Sequence, residues 1–217
     1  MLKRTVFAVI GLIGLNNASF AQDNNDLSQG ELKHLLSTIS VLSADFAQTV
    51  YDQNEVVYEA QGHLYLSRPG KVRWETEFPD EALLIADGEA IWNIDSFVEQ
   101  VTVFDQAQAV NTNPIVLLTS QDDEVWQQFS IQQTNVSDES LVTGADNVYT
   151  IESLNQDAQI RTLSLYLRDD TIFAISTLDA QAQISVLALS NLDTKSPLKN
   201  DLFDVTIPDS YTIDDER

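Results

Sequence analysis

The chain has 217 residues, with 34 acidic side chains against 11 basic ones, no cysteine and a formal net charge of −23. That balance excludes a nucleic-acid binder, because a phosphate backbone repels it, and it is equally repelled by an anionic membrane surface. Without cysteine there is no disulfide, no thiol nucleophile, no thiolate-ligated metal and no residue to carry a lipid anchor.

Lys3 and Arg4 precede an apolar run from Val6 to Leu15. The run is shorter than the ~20 residues that span a bilayer, and Ser19-Phe20-Ala21 places small residues where a signal peptidase reads. Residues 1–21 therefore read as a cleavable signal peptide, and the expected destination is the periplasm of a Gram-negative cell. With no Pro- or Gly-rich linker and no repeat, residues 22–217 read as one domain, long enough to bury ~70% of its unfolded surface.

A helix is expected from Leu27 to about Ser43. Leu32, Leu35, Leu36, Ile39 and Leu42 follow the spacing of one apolar helical face. Ser28 and Glu31 have capping-box spacing, and Leu27 with Leu32 could close a hydrophobic staple.

Alternation takes over afterwards. Glu59 to Trp74 reads as two strands about an Arg68-Pro69-Gly70 turn, with Arg68, Lys71 and Arg73 among the few cations. Ala60, Gly62, Leu64 and Leu66 share one face; Val72, Trp74 and Thr76 continue on the next strand. Asp87-Gly88-Glu89 between Leu83–Ala86 and Ala90–Ile94 reads as a hairpin with a type I′ turn. Gln100 to Phe104 forms another strand. Asn113-Pro114 opens a short apolar piece, Ile115 to Leu118, and Asp122, Asp123 and Glu124 favour the first turn of a second helix. Strands resume over residues 129–133, 148–154, 161–168, 172–178 and 184–192, and Phe203, Val205 and Ile207 close the series.

The expected fold is mainly β with few helices: a single curved antiparallel sheet with a helical lid over its concave face. An antiparallel sheet can bury one face and leave the other wet, and a curved one under a partial cover encloses an apolar cavity.

No catalytic pattern stands out. The two histidines, His34 and His63, are far apart, and no nucleophile elbow, P-loop or dinucleotide-binding turn occurs. Acidic pairs such as Asp122-Asp123 and Asp169-Asp170 carry little information among 34 acids. The chain is expected to be no enzyme, with no metal site and no cofactor.

Several pieces in order carry a resemblance. They are Leu42 to Gln48 (LSADFAQ), Gly62 to Pro69 (GHLYLSRP) with Trp74, Asp87 to Trp92 (DGEAIW), Val98 to Val103 (VEQVTV), Asn113 to Leu118 (NPIVLL) and Tyr211 to Asp215 (YTIDD). Together they resemble the LolA family of periplasmic outer-membrane lipoprotein carriers over nearly the whole length after the signal. The resemblance implies an open half-barrel with helices as its lid. It implies a monomeric carrier that binds acyl chains of outer-membrane lipoproteins, takes them from an inner-membrane ABC transporter and passes them to the outer-membrane receptor LolB. The receptor has an N-terminal cysteine that this chain lacks, which favours carrier over receptor. A periplasmic sensor or regulatory module of the same half-barrel shape is the alternative, but such proteins usually carry a second domain.

Arg68 matches the family's lid-latch arginine, which holds lid backbone groups when the cavity is empty. The lid and acyl cavity are then expected from Leu32, Leu35, Leu36, Ile39, Leu117 and Leu118 above, and Leu64, Leu66, Val72, Trp74 and Trp92 below. The family often has an aromatic residue where Val72 stands. Burial of one CH₂ is worth about 0.8 kcal/mol, so a sixteen-carbon tail gains roughly 12 kcal/mol and would be released too slowly. Closure of the lid on the empty cavity offsets this by replacing the lost contacts.

Overall fold

The computed structural model describes residues 17–109, 114–136 and 140–217. Among them, twelve strands form one sheet, in the spatial order β12-β6-β5-β4-β3-β2-β1-β11-β10-β9-β8-β7. The expected apolar run Val6–Leu15 and Asn113 lie outside the described residues.

The first helix, α1, spans Asn17–Thr38. It starts earlier and stops sooner than its leucine spacing suggests. Ser28 and Glu31 lie inside it and form no cap, and Leu27 is 65% exposed, so no staple closes. The helix ends because β1 (Val41–Asp52) begins: Leu42, Ala44 and Phe46 alternate inward and pair along β2 (Glu55–Ser67). Leu42 thus belongs to a strand. Period two overrides period 3.6 once a long partner strand is available.

The next strands follow as an antiparallel meander: β3 (Lys71–Phe78), β4 (Ala82–Asp87), β5 (Ala90–Asp95) and β6 (Gln100–Asp105). In the β4–β5 turn only Gly88 has positive φ, at 111°, so the turn is not the expected type I′. Asp87 Oδ1 accepts from the backbone N–H of Glu89 and Ala90, both at 2.8 Å. Burial pushes the Asp87 carboxyl up, yet these bonds and the Trp92 indole together hold its pKa below the ordinary value.

A 3₁₀ helix (Pro114–Thr119) and a one-turn helix α2 (Asp123–Trp126) come next. Asp122 caps α2 by accepting from Glu124 N–H at 2.8 Å. The second half of the sheet is β7 (Phe129–Thr134), β8 (Asn147–Ser153), β9 (Ile160–Arg168), β10 (Thr171–Asp179) and β11 (Ile184–Asp193). β11 returns beside β1 and joins the halves.

The end of the chain differs from expectation. Phe203 closes a short 3₁₀ turn (Asn200–Phe203), and Val205 and Ile207 are not strand. They pack with Tyr211 on the convex face against Ala90, Ile94, Val101 and Val103. Strands β3 to β5 already have partners on both sides, so the segment lies across them. It then reaches the open edge of β6, where β12 (Thr212–Asp215) pairs in parallel.

Asp193, at the end of β11, accepts from the side chain of Ser196 and the backbone N–H of Lys195 and Ser196, and its pKa falls to about 2. A carboxylate depressed on folding stabilises the fold above its unfolded value of 3.8, and that contribution is lost as pH falls toward 2. We expect Asp193→Asn to be less stable than the parent at pH 6, with the difference closing between about pH 4 and pH 2. Thermal unfolding at a series of pH values reads this directly; a gap that stays constant to pH 2 contradicts it.

The concave face, its roof and its latch

The main core lies between the concave face and the helices. Leu32 and Leu36 from α1, Val116, Leu117 and Leu118 from the 3₁₀ helix, and Val125 and Trp126 from α2 form one buried cluster with sheet residues such as Leu42, Leu64, Leu66 and Val72. Leu35 and Ile39 are half-buried against it. The helices therefore roof the concave face, and the roof is shut: only about 20 Å³ of space remains among Leu36, Ile39, Leu42, Leu64, Leu66 and Leu118.

A wider opening lies toward the other end of the half-barrel, where β1 passes into β2 and β10 into β11. A cavity of about 420 Å³ is lined there by Val50, Trp74, Leu84, Ile115, Leu163 and Leu187, among others. This is within the ~300–1,000 Å³ usual for small-molecule sites. Of the residues expected at the cavity, Trp74 lines this opening. Leu32 and Leu117 of the roof and Leu64 and Val72 of the floor are fully buried between the two layers.

Trp92 does not belong to either space. Side chains alternate along β5, and Ile91 takes the concave face, so Trp92 points to the convex one. There its indole donates to Asp87 Oδ2 at 2.8 Å, and the Arg217 guanidinium lies 5.7 Å from its ring centre. The expectation that Trp92 lines the acyl cavity is corrected on that ground.

Arg68 stands where β2 ends, beneath both roof segments. Its backbone N–H donates to Ser40 O at 2.9 Å, and its guanidinium donates to the carbonyl oxygen of Leu118. Burial lowers its pKa. Gly70 N–H donates to Thr119 O at 3.1 Å, so the Arg-Pro-Gly turn grips consecutive carbonyls at the end of the 3₁₀ helix. Those are carbonyls that the short helix leaves without internal donors.

Gln106 was not foreseen. It is 8% exposed; its Nε2 donates to Gly70 O at 2.7 Å and its Oε1 accepts from Gly88 N–H at 3.0 Å. It thus ties the latch turn to the β4–β5 turn. Nothing in its sequence surroundings signals this, because the link depends on turns 36 and 18 residues away. Lys33 was also missed: it pairs with Asp123 and lies 5.7 Å from the Trp126 ring centre, joining α1 to α2.

At its other end α1 closes the sheet edge. Asn25 Oδ1 accepts from Ile131 N–H at 2.6 Å and Ser28 Oγ from Gln133 N–H at 3.3 Å. These are the outward amides of β7, which would otherwise be an open template for another strand.

His63 sits on the convex face, with Nδ1 2.7 Å from Asp45 Oδ1 and Nε2 3.4 Å from Glu77 Oε1. Asn191 and then His63 hold the Asp45 pKa below its ordinary value. Among the described residues no group of three His, Cys, Asp or Glu is placed to hold a metal ion, and no helix is long and apolar enough to cross a membrane.

Comparison with known proteins agrees with this architecture. The family profile described as "Outer membrane lipoprotein carrier protein LolA" matches residues 37–206. An outer-membrane lipoprotein carrier protein of Aeromonas salmonicida is 36% identical over 188 residues, 86% of this chain and 88% of its own length. That of Vibrio parahaemolyticus is 30% identical over 218 residues, with both chains covered in full. Among solved structures, a putative outer membrane lipoprotein-sorting protein domain from Vibrio parahaemolyticus superposes with a TM-score of 0.50 at 10% identity, covering 85% of this chain and 97% of that one. At that identity the superposition speaks for the fold alone. Profile, relatives and a roofed apolar half-barrel agree that this chain belongs to the LolA family of outer membrane lipoprotein carriers.

Proposed function

We propose that the chain works in the periplasm as a soluble monomeric shuttle, with residues 1–21 removed and 22–217 as its working domain. It takes lipoproteins released by an inner-membrane ABC transporter, shields their acyl chains against the concave face, and delivers them to the receptor LolB at the outer membrane. It carries out no chemistry on its cargo.

The observation that supports this most is the packing of the roof. Leu32, Leu36, Leu117 and Leu118 occupy the apolar floor themselves. They can yield it to alkyl chains at little net cost in buried apolar area, since one apolar contact replaces another. The polar ties that must be released are few and local: Arg68 to Leu118, Gly70 to Thr119, Lys33 to Asp123. On this reading Leu32, Leu35, Leu36, Ile39, Leu117 and Leu118 move aside on loading, and Leu64, Leu66, Val72 and Trp74 become the wall that touches the tails.

Purification of the protein from periplasm, followed by mass spectrometry of what it carries, tests the reading. Triacylated proteins or peptides are expected in the loaded fraction, and the empty protein is expected to extract lipoproteins from spheroplasts. A preparation free of acylated cargo that also extracts none contradicts it.

A further inference from the structure

The concave face changes character along its strands. On β1, Leu42, Ala44 and Phe46 are buried, and the next inward position is Gln48. On β3, Val72 and Trp74 give way to Thr76, and on β5 buried Ile91 gives way to Asn93. On β10, Ile175 is followed by Thr177, and on β11 Ser185 stands on the mouth side of Leu187. Gln48, Thr76, Asn93, Thr177 and Ser185 all line the 420 Å³ opening.

These five side chains are neutral and able to donate hydrogen bonds. Gln48 Nε2 donates to Ser185 Oγ at 2.7 Å across the β1–β11 pair. The second amide hydrogen of Gln48 and the Ser185 hydroxyl hydrogen remain to be offered to a ligand. The ionisable residue of the lining is Asp179, at the end of β10, whose Oδ1 accepts from the N–H of Gln181 and Gln183 at 2.9 and 2.8 Å.

An apolar floor that ends in neutral donors suits one kind of molecule: an alkyl tail that ends in a carbonyl. A hydrocarbon chain alone leaves the donors unanswered, and an ether oxygen answers them poorly. A carboxylate at the rim disfavours an anionic headgroup. We infer that Gln48, Ser185 and their neighbours form a collar that receives the ester or amide carbonyls of acyl chains on a non-anionic headgroup. The collar sets how far the tails enter. The inference rests on the acyl-binding reading above and adds the linkage and headgroup that the site selects.

The test compares three lipids: a synthetic dipalmitoyl lipopeptide, its dihexadecyl ether counterpart, and phosphatidylglycerol. Their Kd values are measured on the parent protein and on a Gln48→Leu/Ser185→Ala double variant. The ester is expected to bind about tenfold tighter than the ether to the parent. In the double variant that ratio falls to near one while ether binding changes little. Phosphatidylglycerol is expected to bind more weakly than the lipopeptide. Should the double variant fail to fold, Ser185→Ala alone is expected to narrow the ratio. Equal binding of ester and ether to the parent overturns the collar while leaving acyl binding intact. An unchanged ratio in the variant, or phosphatidylglycerol binding as tightly as the lipopeptide, also overturns it. Failure of all three lipids to bind overturns the acyl reading and the collar together.

Discussion

Arg68→Leu will shift the roof toward its open state and slow delivery of cargo. In the closed form the Arg68 guanidinium donates to Leu118 O, and burial alone accounts for its lowered pKa. Its partner is a carbonyl dipole, not one of the many carboxylates that surround it in the sequence. A charge-assisted bond of this kind contributes about 1.5–3 kcal/mol. Leucine cannot donate, so a buried carbonyl loses its partner, and the open-to-closed ratio rises by roughly 10- to 150-fold. On the carrier reading the closed roof competes with bound tails, so the loaded variant is expected to hold them longer. The measurement is transfer of a labelled lipoprotein from the variant to vesicles that bear the receptor. A rate equal to the parent's removes Arg68 from the latch. Arg68→Lys keeps the charge without the planar fork and is expected to fall between the two.

Gly62→Ala will be the most destabilising single methyl in the sheet. A Cβ at Gly62 would stand 1.8 Å from the carbonyl oxygen of Glu75 and 2.8 Å from its carbon, with the Phe46 ring at 3.0 Å. The obstruction is backbone, so no side-chain rotation relieves it. Gly62 also marks the register shift between β2 and β3, and its missing side chain lets Phe46 of β1 and Trp74 of β3 meet across β2 with ring centres 5.0 Å apart. Opening that pairing costs about 3–5 kcal/mol, a fall in Tm of roughly 10 °C or more for a domain of this size. Gly30→Ala is the natural comparison. It lies on α1 with nothing within 4 Å of an added Cβ. Alanine there removes a helix penalty of about 1 kcal/mol and raises Tm. Calorimetry on both variants separates them; a Gly62→Ala protein as stable as the parent contradicts the close approach.

The sheet was legible because its strands alternate strongly: Leu64 and Leu66, Leu163, Leu165 and Leu167 declare one buried face without help. The roof was legible in α1 because Leu32, Leu35 and Leu36 keep helical spacing. The helix ends were not, since Val41 and Leu42 suit either period and only pairing with β2 decides. Trp92 was misplaced because a tryptophan declares burial, while the face it takes follows from the parity of its neighbours. Val205 and Ile207 alternate like a strand, yet find no free edge and cover the convex face instead. The contacts of the Arg-Pro-Gly turn were half visible: Arg68 stood out as a rare cation, whereas Gly70 acts through its backbone and the Gln106 side chain bonds backbone groups that no side-chain pattern announces. The polar side chains around the opening escaped notice for a related reason. Gln48 and Ser185 are 137 residues apart and meet only because β11 closes beside β1.

On the carrier reading proposed above, the Asn25 and Ser28 bonds to β7 would limit how cargo enters. Were α1 to lift away whole, the Ile131 and Gln133 amides would lie bare, and one loaded molecule could zip onto the next. On that reading the helix would swing from its distal turns, near Lys33 to Thr38, while the stretch around Asn25 stays moored. Loading would then be a hinged movement, and what moors the helix would also keep full carriers from pairing edge to edge.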